Sequence, residues 1–532
     1  MKITGFYVNH SFAIDHAGNK GYYSNILDYL LTYQKGINGF YHLSYNVACI
    51  LRMLHLTDGQ LSELQDKAEV KVDPDYTIYY IHNKYFAIKK GNYWDCPYVQ
   101  FCDIAQYLAW RVDDDHTEEY ALNKAKEAYK TAVEVYKGLG KLGIQPENLT
   151  SPIRCFEKAV LNRMNLPTID NIPEEAAHYA YQCCHGGWLE AFKKGHYTAY
   201  DYDISSAYPA QLAELKELRF GLWENDREFN YSAEYGYLYG KLDMQAHFNP
   251  FLFKANDMTY TPVGEYECCI TKRQYEILQK YHLGTFEIYN AWWWYPKSSV
   301  YPLKALIGKL YSHKETSNGM DKEVTKRIMS GMWGKLLELQ NDTFGKHFNP
   351  VWGAEVEVNT RMKVFEACLN SGVVPLSIAV DGVLTDKPLN VDVKPGLGQW
   401  KLTYNCDALV ISSGIVAVKD KQHNQDFALE YQWLIDQIKE NPELSEYVKS
   451  KPSPVSLNKA LVHGDLSKIG QVEQITRTVD TLYEAKRCYP IAPANGGELL
   501  ANKYESVAWP VSLFEAEKFN ANREDNELST VS

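Results

Sequence analysis

The first 110 residues alternate between short apolar stretches and turn-forming residues, a pattern that predicts short strands. A longer stretch with helical periodicity follows at residues 113–140, and it begins with three aspartates. Acidic residues are favoured in the first helical turn because they complement the helix dipole, and glycine often follows the last turn. We therefore predict a capped helix that ends at Gly138, and we interpret the aspartates as its start rather than as a metal cluster.

Strand patterns return in the middle of the chain. The stretch "YTAYDYDI" (197–204) is strand-like, and residues 215–300 are rich in aromatic residues, Gly, Pro and Asn, which indicates strands and loops. Residues 373–386 predict two short strands around the dipeptide Asp381-Gly382, which is typical of a tight hairpin turn.

One segment between these strands has helical periodicity. Residues 303–315 and 320–337 predict two helices, and the connecting "TSNGM" is short and contains Asn-Gly. A short connection of this kind joins antiparallel helices. We therefore predict a helical hairpin.

Composition limits the class of protein. A chain of 532 residues is long enough for three or four compact units at roughly 100–200 residues each. It is 45% hydrophobic and 23% charged, as soluble globular proteins are. No apolar run approaches about 18 residues, so we expect no membrane span. The eleven cysteines include no C-x-x-C pair, which favours a reduced, intracellular protein.

The chain is acidic overall but contains one net-positive stretch. The net charge of −12 is evidence against a broadly basic nucleic-acid binder. Residues 304–346, however, contain eight Lys/Arg and five Asp/Glu, so this window is net positive. A solvated helix face and a channel for an anionic ligand both remain open from composition.

Two carboxylate positions suit a metal site. In a strand, Asp201 and Asp203 point to the same face. Asp381 follows an apolar strand and sits at a tight turn, where it is held rigidly. Paired carboxylates are ligands that Mg²⁺ prefers, with water and substrate phosphate completing its shell. The alternatives are a solvated strand end and an ordinary Asp-Gly turn.

The predicted helical hairpin adds cations. Lys322 and Lys326 are four residues apart on one helical face, and Lys314 lies at the end of the preceding helix. Ammonium groups on a common surface can bind a triphosphate, although surface lysines on a helix are the simpler explanation. Carboxylates that hold two metal ions, together with such lysines, indicate nucleotidyl transfer.

The same three stretches resemble the motifs of family B DNA polymerases. "DISSAYP" (203–209) resembles motif A, D-x-x-S-L-Y-P; "KRIMSGMWGK" (326–335) resembles motif B, K-x-x-x-N-S-x-Y-G; and "AVDGVLTD" (379–386) resembles motif C, D-T-D-S. The resemblance is greatest to the protein-primed branch of small phages and linear plasmids. It implies an α+β multidomain fold, with a right-hand polymerase of palm, fingers and thumb and an N-terminal RNase H-like exonuclease-type domain.

The resemblance assigns roles around the metal site. It implies that Asp203, rather than Asp201, is the motif A ligand, that Asp381 is the essential motif C aspartate, and that the carbonyl of Ile204 contributes to the metal site. Ser206 matches the motif A serine. Tyr208 matches the tyrosine under the incoming sugar, where a rigid ring would clash with a 2′-hydroxyl and favour dNTPs.

The resemblance also assigns ligand-binding residues in the fingers and the palm. It implies that the three lysines bind the triphosphate and that Ser330 and Trp333, which replace the motif asparagine and tyrosine, line the nucleotide pocket. It also implies DNA-binding residues. In motif B these are Gly334 and Lys335. In the N-terminal half they are Tyr45 and the "HGG" segment, which resembles a Y-x-G-G loop and consists of His185, Gly186 and Gly187. "KRCYPIAPANGG" (486–497) resembles the thumb hairpin.

The palm departs from the family pattern at two positions. Ala379 stands where motif C has its first, less critical aspartate. The Lys-x-Tyr motif of the family falls near "SSGIVAV" (412–418), which contains neither residue. These departures leave open a polymerase fold that is catalytically silent.

The N-terminal region departs further. The family exonuclease is built on D-x-E, N-x-x-x-D and Y-x-x-x-D, but here Phe6 and Val8 occupy the first acidic positions, and Asn46 and Lys126 the others. We therefore predict that this domain is an inactive scaffold. Tyr45 is either a residue that stacks on single-stranded DNA or a core tyrosine.

Domain boundaries follow from the motif positions. We predict an exonuclease-like domain (1–145), a first palm segment (146–214), a family-specific insertion (215–302), fingers (303–340), a second palm segment (341–465), and a thumb with a tail (466–532).

These features predict a template-directed DNA polymerase without 3′–5′ proofreading that replicates a phage or plasmid genome. The resemblance implies two Mg²⁺ ions, with Mn²⁺ as a substitute, and primer-template DNA, dNTPs and a terminal protein as partners. It also implies a monomer in the cytoplasm of an infected or plasmid-bearing cell. The alternatives are a silent polymerase-fold protein that binds DNA or a priming protein, and a primase-like or template-independent nucleotidyltransferase.

Overall fold

The computed structural model describes residues 2–480, except residues 94, 109–111, 113–114, 116, 247, 256–257, 341–342, 421–430, 442–443 and 445. The segment that resembles a thumb hairpin (486–497) lies outside the described residues. The described chain forms two compact units. The first unit comprises Met1–Met164, Ser312–Ile328 and Lys449–Arg477, and the second comprises Asn165–Tyr311, Met329–Val448 and the described residues from Thr478 onward.

An eight-stranded mixed sheet forms the centre of the first unit, in the order β3-β2-β1-β4-β8-β7-β6-β5. Its strands are β1 (Lys2–Val8), β2 (Phe12–Asp15), β3 (Lys20–Tyr22), β4 (Gly36–Phe40), β5 (Glu69–Lys71), β6 (Tyr76–Ile81), β7 (Tyr85–Lys90) and β8 (Tyr98–Asp103). The helices before residue 164 are α1 (Ile26–Leu31), α2 (Leu43–Met53), α3 (Asp58–Lys67), α4 (Glu118–Lys141) and α5 (Pro152–Ala159).

Helix α4 confirms the predicted helix but not its end. Thr117 caps its N-terminus by accepting a hydrogen bond from the Tyr120 main chain, whereas Asp113 and Asp114 lie outside the described residues. The helix continues past Gly138 to Lys141. A Cβ at Gly138 would lie 3.2 Å from Asp321 Oδ1. This glycine therefore allows a neighbouring helix to approach closely, instead of terminating its own.

The second unit contains a six-stranded sheet in the order β22-β21-β10-β20-β19-β9 and a four-stranded sheet in the order β11-β16-β12-β15. The strands of the larger sheet are β9 (Leu189–Ala191), β10 (Gly195–Ile204), β19 (Ser377–Ala379), β20 (Gly382–Thr385), β21 (Trp400–Ser412) and β22 (Ile415–Val418). The smaller sheet consists of β11 (Gly221–Asp226), β12 (Tyr235–Met244), β15 (Gly264–Thr271) and β16 (Gly284–Pro296), all within the predicted insertion.

The remaining elements connect or cover these sheets. The helices are α6 (Glu174–Gln182), α7 (Ala207–Glu214), α8 (Lys272–Lys280), α9 (Lys304–Thr316), α10 (Gly319–Lys335), α11 (Pro350–Asn370), α12 (Tyr431–Glu440) and α13 (Leu457–His463). Three two-stranded sheets pair β13 (Phe253–Ala255) with β14 (Met258–Tyr260), β17 (Leu339–Gln340) with β18 (Thr343–Phe344), and β23 (Glu446–Pro454) with β24 (Val472–Asp480).

The two predicted hairpins are both present. Helices α9 and α10 match the helical hairpin, with Gly319 at a positive φ of 53° where α10 begins. Strands β19 and β20 match the predicted β-hairpin, and they pair antiparallel up to Ala379 and Gly382.

The packing of β1 against α4 gives a test of the first unit. A Cβ at Gly5 would lie 2.3 Å from the Tyr129 main-chain nitrogen and 2.4 Å from the Ala125 carbonyl oxygen, so helix or strand must move. We expect Gly5→Ala to lower the free energy of unfolding by about 1–3 kcal/mol, measured by urea denaturation. Gly140→Ala, in an open position of the same helix, is the control and should raise it by about 0.5–1 kcal/mol. Equal effects of both substitutions would contradict the close packing.

Candidate active site

The candidate active site is a cleft of about 320 Å³ on one face of the six-stranded sheet. Strand β10 lies between β20 and β21, and on the β21 side Asp203 pairs with Lys401. The main-chain N–H of Ile204 donates to the carbonyl oxygen of Asp381 (3.1 Å). The side chains of Asp203 and Asp381 therefore line one cleft, and Asp201 lines it too.

The turn that presents Asp381 is strained. Because β19 and β20 pair up to Ala379 and Gly382, Val380 and Asp381 form a two-residue turn. Val380 has a φ of 63°, a conformation that β-branched residues rarely adopt and that costs about 1–3 kcal/mol. Its main-chain N–H donates to the carbonyl oxygen of Trp188 (2.7 Å). Trp188, the residue that follows the "HGG" segment, thus holds the turn in place.

Gly187 contacts the same turn. A Cβ at this position would lie 2.5 Å from Val380 Cγ2, well below a normal contact distance. The absence of a side chain at Gly187 is therefore required for the Val380 side chain to occupy its position. This packing role adds to the DNA contact predicted for the "HGG" segment.

A buried carboxylate holds the other two residues of this segment. The main-chain N–H groups of His185 and Gly186 donate to Glu357 Oε2, at 2.9 and 3.0 Å. Both Glu357 and Arg361 are 2% exposed on helix α11. Burial raises the pKa of Glu357, and the Arg361 charge and the two N–H groups oppose this shift. Burial, with the Arg361 charge, lowers the pKa of His185 to about 3, so its imidazole is neutral.

The sequence analysis missed Glu357 and Arg361. No local signal marks them, because the same helix also carries Glu355, Lys363 and Glu366, and only the structure shows that Glu357 and Arg361 are buried. A charged pair in such a helix needs a polar partner, and here it is the main chain of the "HGG" segment.

Motif A continues from β10 into helix α7 through a second strained residue. Ser206 adopts a left-handed conformation (φ 51°) at the start of α7. Two residues later, in the first turn of the helix, the Tyr208 ring packs edge-on against Trp333 of motif B, with 5.1 Å between centroids and 63° between planes. Burial raises the pKa of Tyr208, which stays protonated. The two predicted nucleotide-pocket aromatics are therefore in direct contact.

Motif B forms an exposed stripe along α10. Four of its predicted ligand-binding residues recur every four positions, on the same helical face. They are Lys322, Lys326, Ser330 and Gly334, and all are exposed. A Cβ at Gly334 would contact nothing within 4 Å, so this end of the stripe is open.

Lys335 does not belong to this stripe. It is 9% exposed, and its ammonium group pairs with Glu338 at 2.9 Å and 3.0 Å. Because it follows Gly334 by one residue, its side chain lies on a different face of the helix and points inward. There the ion pair with Glu338 neutralises its charge. The DNA contact predicted for Lys335 stays a prediction, and it would require this ion pair to open.

The third predicted triphosphate lysine lies on the preceding helix of the hairpin. Lys314 is half-buried and forms an ion pair with Glu315 (3.1 Å). His313 Nδ1 and Thr325 Oγ1, 3.0 Å apart, join the two helices. The tip of the α9–α10 hairpin, which contains these three residues and Lys314's partner Glu315, belongs to the first unit.

The donor set of the cleft fits divalent ions that prefer oxygen. Asp203 and Asp381 supply carboxylates, and a main-chain carbonyl such as that of Ile204 would complete the protein ligands. In the described part of the chain no group of three or more His, Cys, Asp or Glu could hold a metal ion. Two carboxylates nonetheless suffice for Mg²⁺ that retains water and substrate phosphate as its other ligands.

Aromatic side chains fill the space between β1, α2 and α4, the elements that contain the three predicted exonuclease-type motifs. Odd-numbered residues of β1 face α2 and α4, and the Tyr7 ring lies 5.8 Å from the rings of both Tyr45 and Tyr120. Lys124 Nζ donates to the Tyr41 hydroxyl (3.0 Å). The side chains that meet there are thus tyrosines and a lysine.

Three of the residues assigned to the lost acidic positions lie outside this cluster. Phe6 points to the opposite face of the sheet, against Phe40 and Phe101, and residues of a strand alternate in direction, so Val8 shares its side. Lys126 is exposed, whereas Lys124 contacts Tyr41. The assignment of Phe6, Val8 and Lys126 to the acidic positions therefore stays a prediction.

The second motif of this region is structural. Asn46 is fully buried, and its amide accepts from the Val8 main chain (2.6 Å) and donates to the His42 carbonyl (2.7 Å). Tyr45 is also fully buried. A ring without an exposed face cannot stack on a base, so Tyr45 is a core tyrosine and its predicted DNA contact is wrong.

Comparison with known proteins gives matches only at the level of structure. No protein-family model and no curated protein sequence matches this chain. Phi29 DNA polymerase complexed with primer-template DNA and incoming nucleotide substrates matches with a TM-score of 0.61 and 13% identity, over 90% of this chain and 100% of that chain. The same polymerase complexed with single-stranded DNA gives 0.60 and 14%, with equal coverage.

These matches establish the fold. The chain has the α+β multidomain fold of a right-hand polymerase with an N-terminal exonuclease-type domain, which confirms the predicted fold class. In the described residues, no helix is both long enough and apolar enough to cross a membrane.

Proposed function

We propose that this protein is a template-directed DNA polymerase that adds deoxynucleotides to the 3′-hydroxyl of a primer. The observation that carries the proposal is that Asp203, on strand β10, and Asp381, in the turn before the neighbouring strand β20, line one cleft. Support comes from the likeness in fold to a polymerase complexed with primer-template DNA and incoming nucleotides.

Each motif has a part in this reaction. Two Mg²⁺ ions would activate the 3′-hydroxyl and stabilise the pyrophosphate that leaves. Asp203 and Asp381 would hold these ions from rigid strand and turn positions. Lys314, Lys322 and Lys326 would bind the triphosphate as point charges.

The Tyr208 ring would select the sugar. Its packing against Trp333 fixes the ring, so a 2′-hydroxyl would meet a surface that cannot move away. We expect Tyr208→Val to reduce the preference for dNTPs over rNTPs by about 10–200-fold, measured as the ratio of kcat/KM values. Tyr208→Phe keeps the ring and should keep the preference. A loss of preference in both variants would contradict a steric mechanism.

We further propose that the enzyme belongs to the protein-primed branch and replicates a phage or plasmid genome. Motifs A to C and the sheet within residues 215–302 support this placement. Primer-template DNA, dNTPs and a terminal protein would be its partners, in the host cytoplasm.

Proofreading would be absent. The tyrosines and Lys124 that meet between β1, α2 and α4 offer no pair of carboxylates for two-metal hydrolysis. We expect the purified protein to leave a 3′-mismatched primer intact when incubated with Mg²⁺ and no dNTPs. Shortening of that primer, read on a sequencing gel, would falsify this assignment.

Primer extension tests the main proposal. Purified protein, Mg²⁺, dNTPs and a 5′-labelled primer-template should give extended products that follow the template sequence. Products without template, or efficient use of rNTPs, would indicate a primase-like or template-independent transferase instead.

A second candidate is a catalytically silent polymerase fold that binds DNA or a priming protein. The specific observations that favour it are Ala379 in motif C and the placement of Val416 and Val418 in the cleft, near where the family has Lys-x-Tyr. DNA binding without extension, with Mg²⁺ and also with Mn²⁺, would select this candidate.

A further inference from the structure

A lysine that no motif predicts faces the catalytic carboxylate. Lys401 Nζ lies 2.6 Å from Asp203 Oδ2. The Lys401 side chain is 51% exposed and that of Asp203 is 31% exposed, so the pair is accessible from the cleft. The Lys401 ammonium group thus pairs with a carboxylate oxygen that a divalent ion would need as a ligand.

An irregularity of the sheet places this lysine. Strand β21 pairs Asp201 with Tyr404, and a regular ladder would then set Leu402 opposite Asp203. The register shifts by one residue after Asp201, so Lys401 takes that place. Bulges beside active sites commonly re-aim a side chain in this way. The local backbone therefore directs a cation, instead of an apolar residue, to Asp203.

The charge of the cleft makes this contact consequential. Ala379 lines the cleft at the position where the motif C pattern has an aspartate, so one carboxylate is missing there. Lys401 adds one positive charge. The missing carboxylate and the added ammonium group each weaken the attraction of the cleft for free divalent ions.

We infer that Lys401 competes with the divalent ion for Asp203 and thereby makes metal binding depend on the nucleotide. A divalent ion on the Asp203 carboxylate would lie beside an ammonium group, and the two cations repel each other. An anionic triphosphate removes this repulsion, because it can pair with the displaced ammonium and also bind the metal. This role rests on the proposed function for its nucleotide, but the competition itself does not.

Such competition is a coupling between two ligands. Because coupling is reciprocal, the nucleotide strengthens metal binding by the same factor by which the metal strengthens nucleotide binding. Lys401 is then a positioning residue, which acts through Asp203. Its removal should tighten metal binding, a direction of change that loss of structure cannot produce.

Mn²⁺ binding to the full-length protein tests this inference. Free Mn²⁺ is measured by electron paramagnetic resonance, without nucleotide and then with a non-hydrolysable dNTP analogue. We expect Lys401→Met to bind Mn²⁺ about tenfold more tightly than the wild type when no nucleotide is present. The analogue should tighten Mn²⁺ binding by the wild type more than by this variant.

Lys419→Met is the matched control. Lys419 also pairs with an aspartate, Asp407 Oδ2 at 3.4 Å, and its side chain is 52% exposed, but it does not line the cleft. Its Mn²⁺ affinity should stay within about twofold of the wild type. Asp203→Asn should abolish the tight binding in both the wild type and Lys401→Met.

The outcomes separate the two proposals. Unchanged Mn²⁺ affinity in Lys401→Met, or equal tightening in Lys419→Met, overturns the inference, and so does binding that survives Asp203→Asn. If Lys401→Met binds Mn²⁺ more tightly while the wild type fails to extend a primer, the competition stands and the polymerase proposal falls.

Discussion

Replacing Asp381 by asparagine is expected to reduce primer extension by about 1,000-fold, because an amide is a much weaker ligand for Mg²⁺ than a carboxylate. The substitution keeps the size of the side chain, so the turn between β19 and β20 should be retained. Single-turnover extension of a labelled primer measures the effect on the rate of the chemical step. We expect Asp203→Asn to give a loss of the same order.

Asp201→Asn is the matched control for these two variants. Asp201 lines the same cleft on the same strand as Asp203. The motif A pattern nevertheless assigns the metal-ligand role to Asp203 and not to Asp201. We expect its activity to stay within about tenfold of the wild type, an effect of lost charge alone. An equal loss in all three variants would assign metal binding to a wider cluster than Asp203 and Asp381.

Local patterns predicted the elements that carry the site. Alternation and a dipeptide turn signal identified the strand before Asp203 and the hairpin at Asp381, and helical periodicity identified α9 and α10. Each of these features is decided by residues close together in the chain. The end of α4 was predicted wrongly because Gly138 packs against Asp321 instead of ending the helix. Local sequence holds no information about a neighbour so distant in the chain.

The exonuclease-type region leaves the register of its first motif open. A strand presents alternate residues to opposite faces, so an alignment displaced by one residue assigns the motif to the other face of the sheet. The resemblance aligns Phe6 with an acidic position, whereas Tyr7, one residue later, faces the tyrosines of α2 and α4. Without acidic residues to anchor the motif, local sequence does not decide between the two registers.

The residues that the sequence analysis missed are all set by tertiary contacts. Glu357 and Arg361 lie on a helix far along the chain from the segment that Glu357 holds. Lys401 faces Asp203 only because of an irregular pairing between two strands. None of these residues belongs to a short motif, so pattern reasoning had no reason to select them.

Three described non-glycine residues of the second unit have a left-handed backbone, and two of them, Val380 and Ser206, lie beside the two proposed metal ligands. Val380 precedes Asp381, and Ser206 follows Asp203 by three positions. A left-handed backbone at a non-glycine residue persists only when the surrounding structure imposes it. At Val380 the surrounding structure is formed by Gly187 and Trp188: the Val380 main-chain N–H donates to the Trp188 carbonyl oxygen, and Gly187 leaves space for the Val380 side chain.

Gly187→Ala is therefore expected to reduce extension by about 100-fold. The new methyl group would lie 2.5 Å from Val380 Cγ2, so the turn must shift, and displacements of about 1 Å can lower the rate by this factor. The effect should appear in kcat more than in the affinity for primer-template DNA, because the displaced group is the Asp381 carboxylate. Loss of DNA affinity with kcat unchanged would instead support a direct contact of Gly187 with template.

A second substitution separates the clash from a general loss of structure. Val380→Ala removes both Cγ atoms that the new methyl group would meet, and alone it should lower activity only slightly. In the double variant Gly187→Ala/Val380→Ala we expect most of the activity to return, a coupling that direct contacts commonly show at about 0.5–3 kcal/mol. Additive losses would mean that Gly187 acts independently of the turn. Restored activity would make the glycine of the "HGG" segment and the valine of motif C one packed unit that sets the position of Asp381.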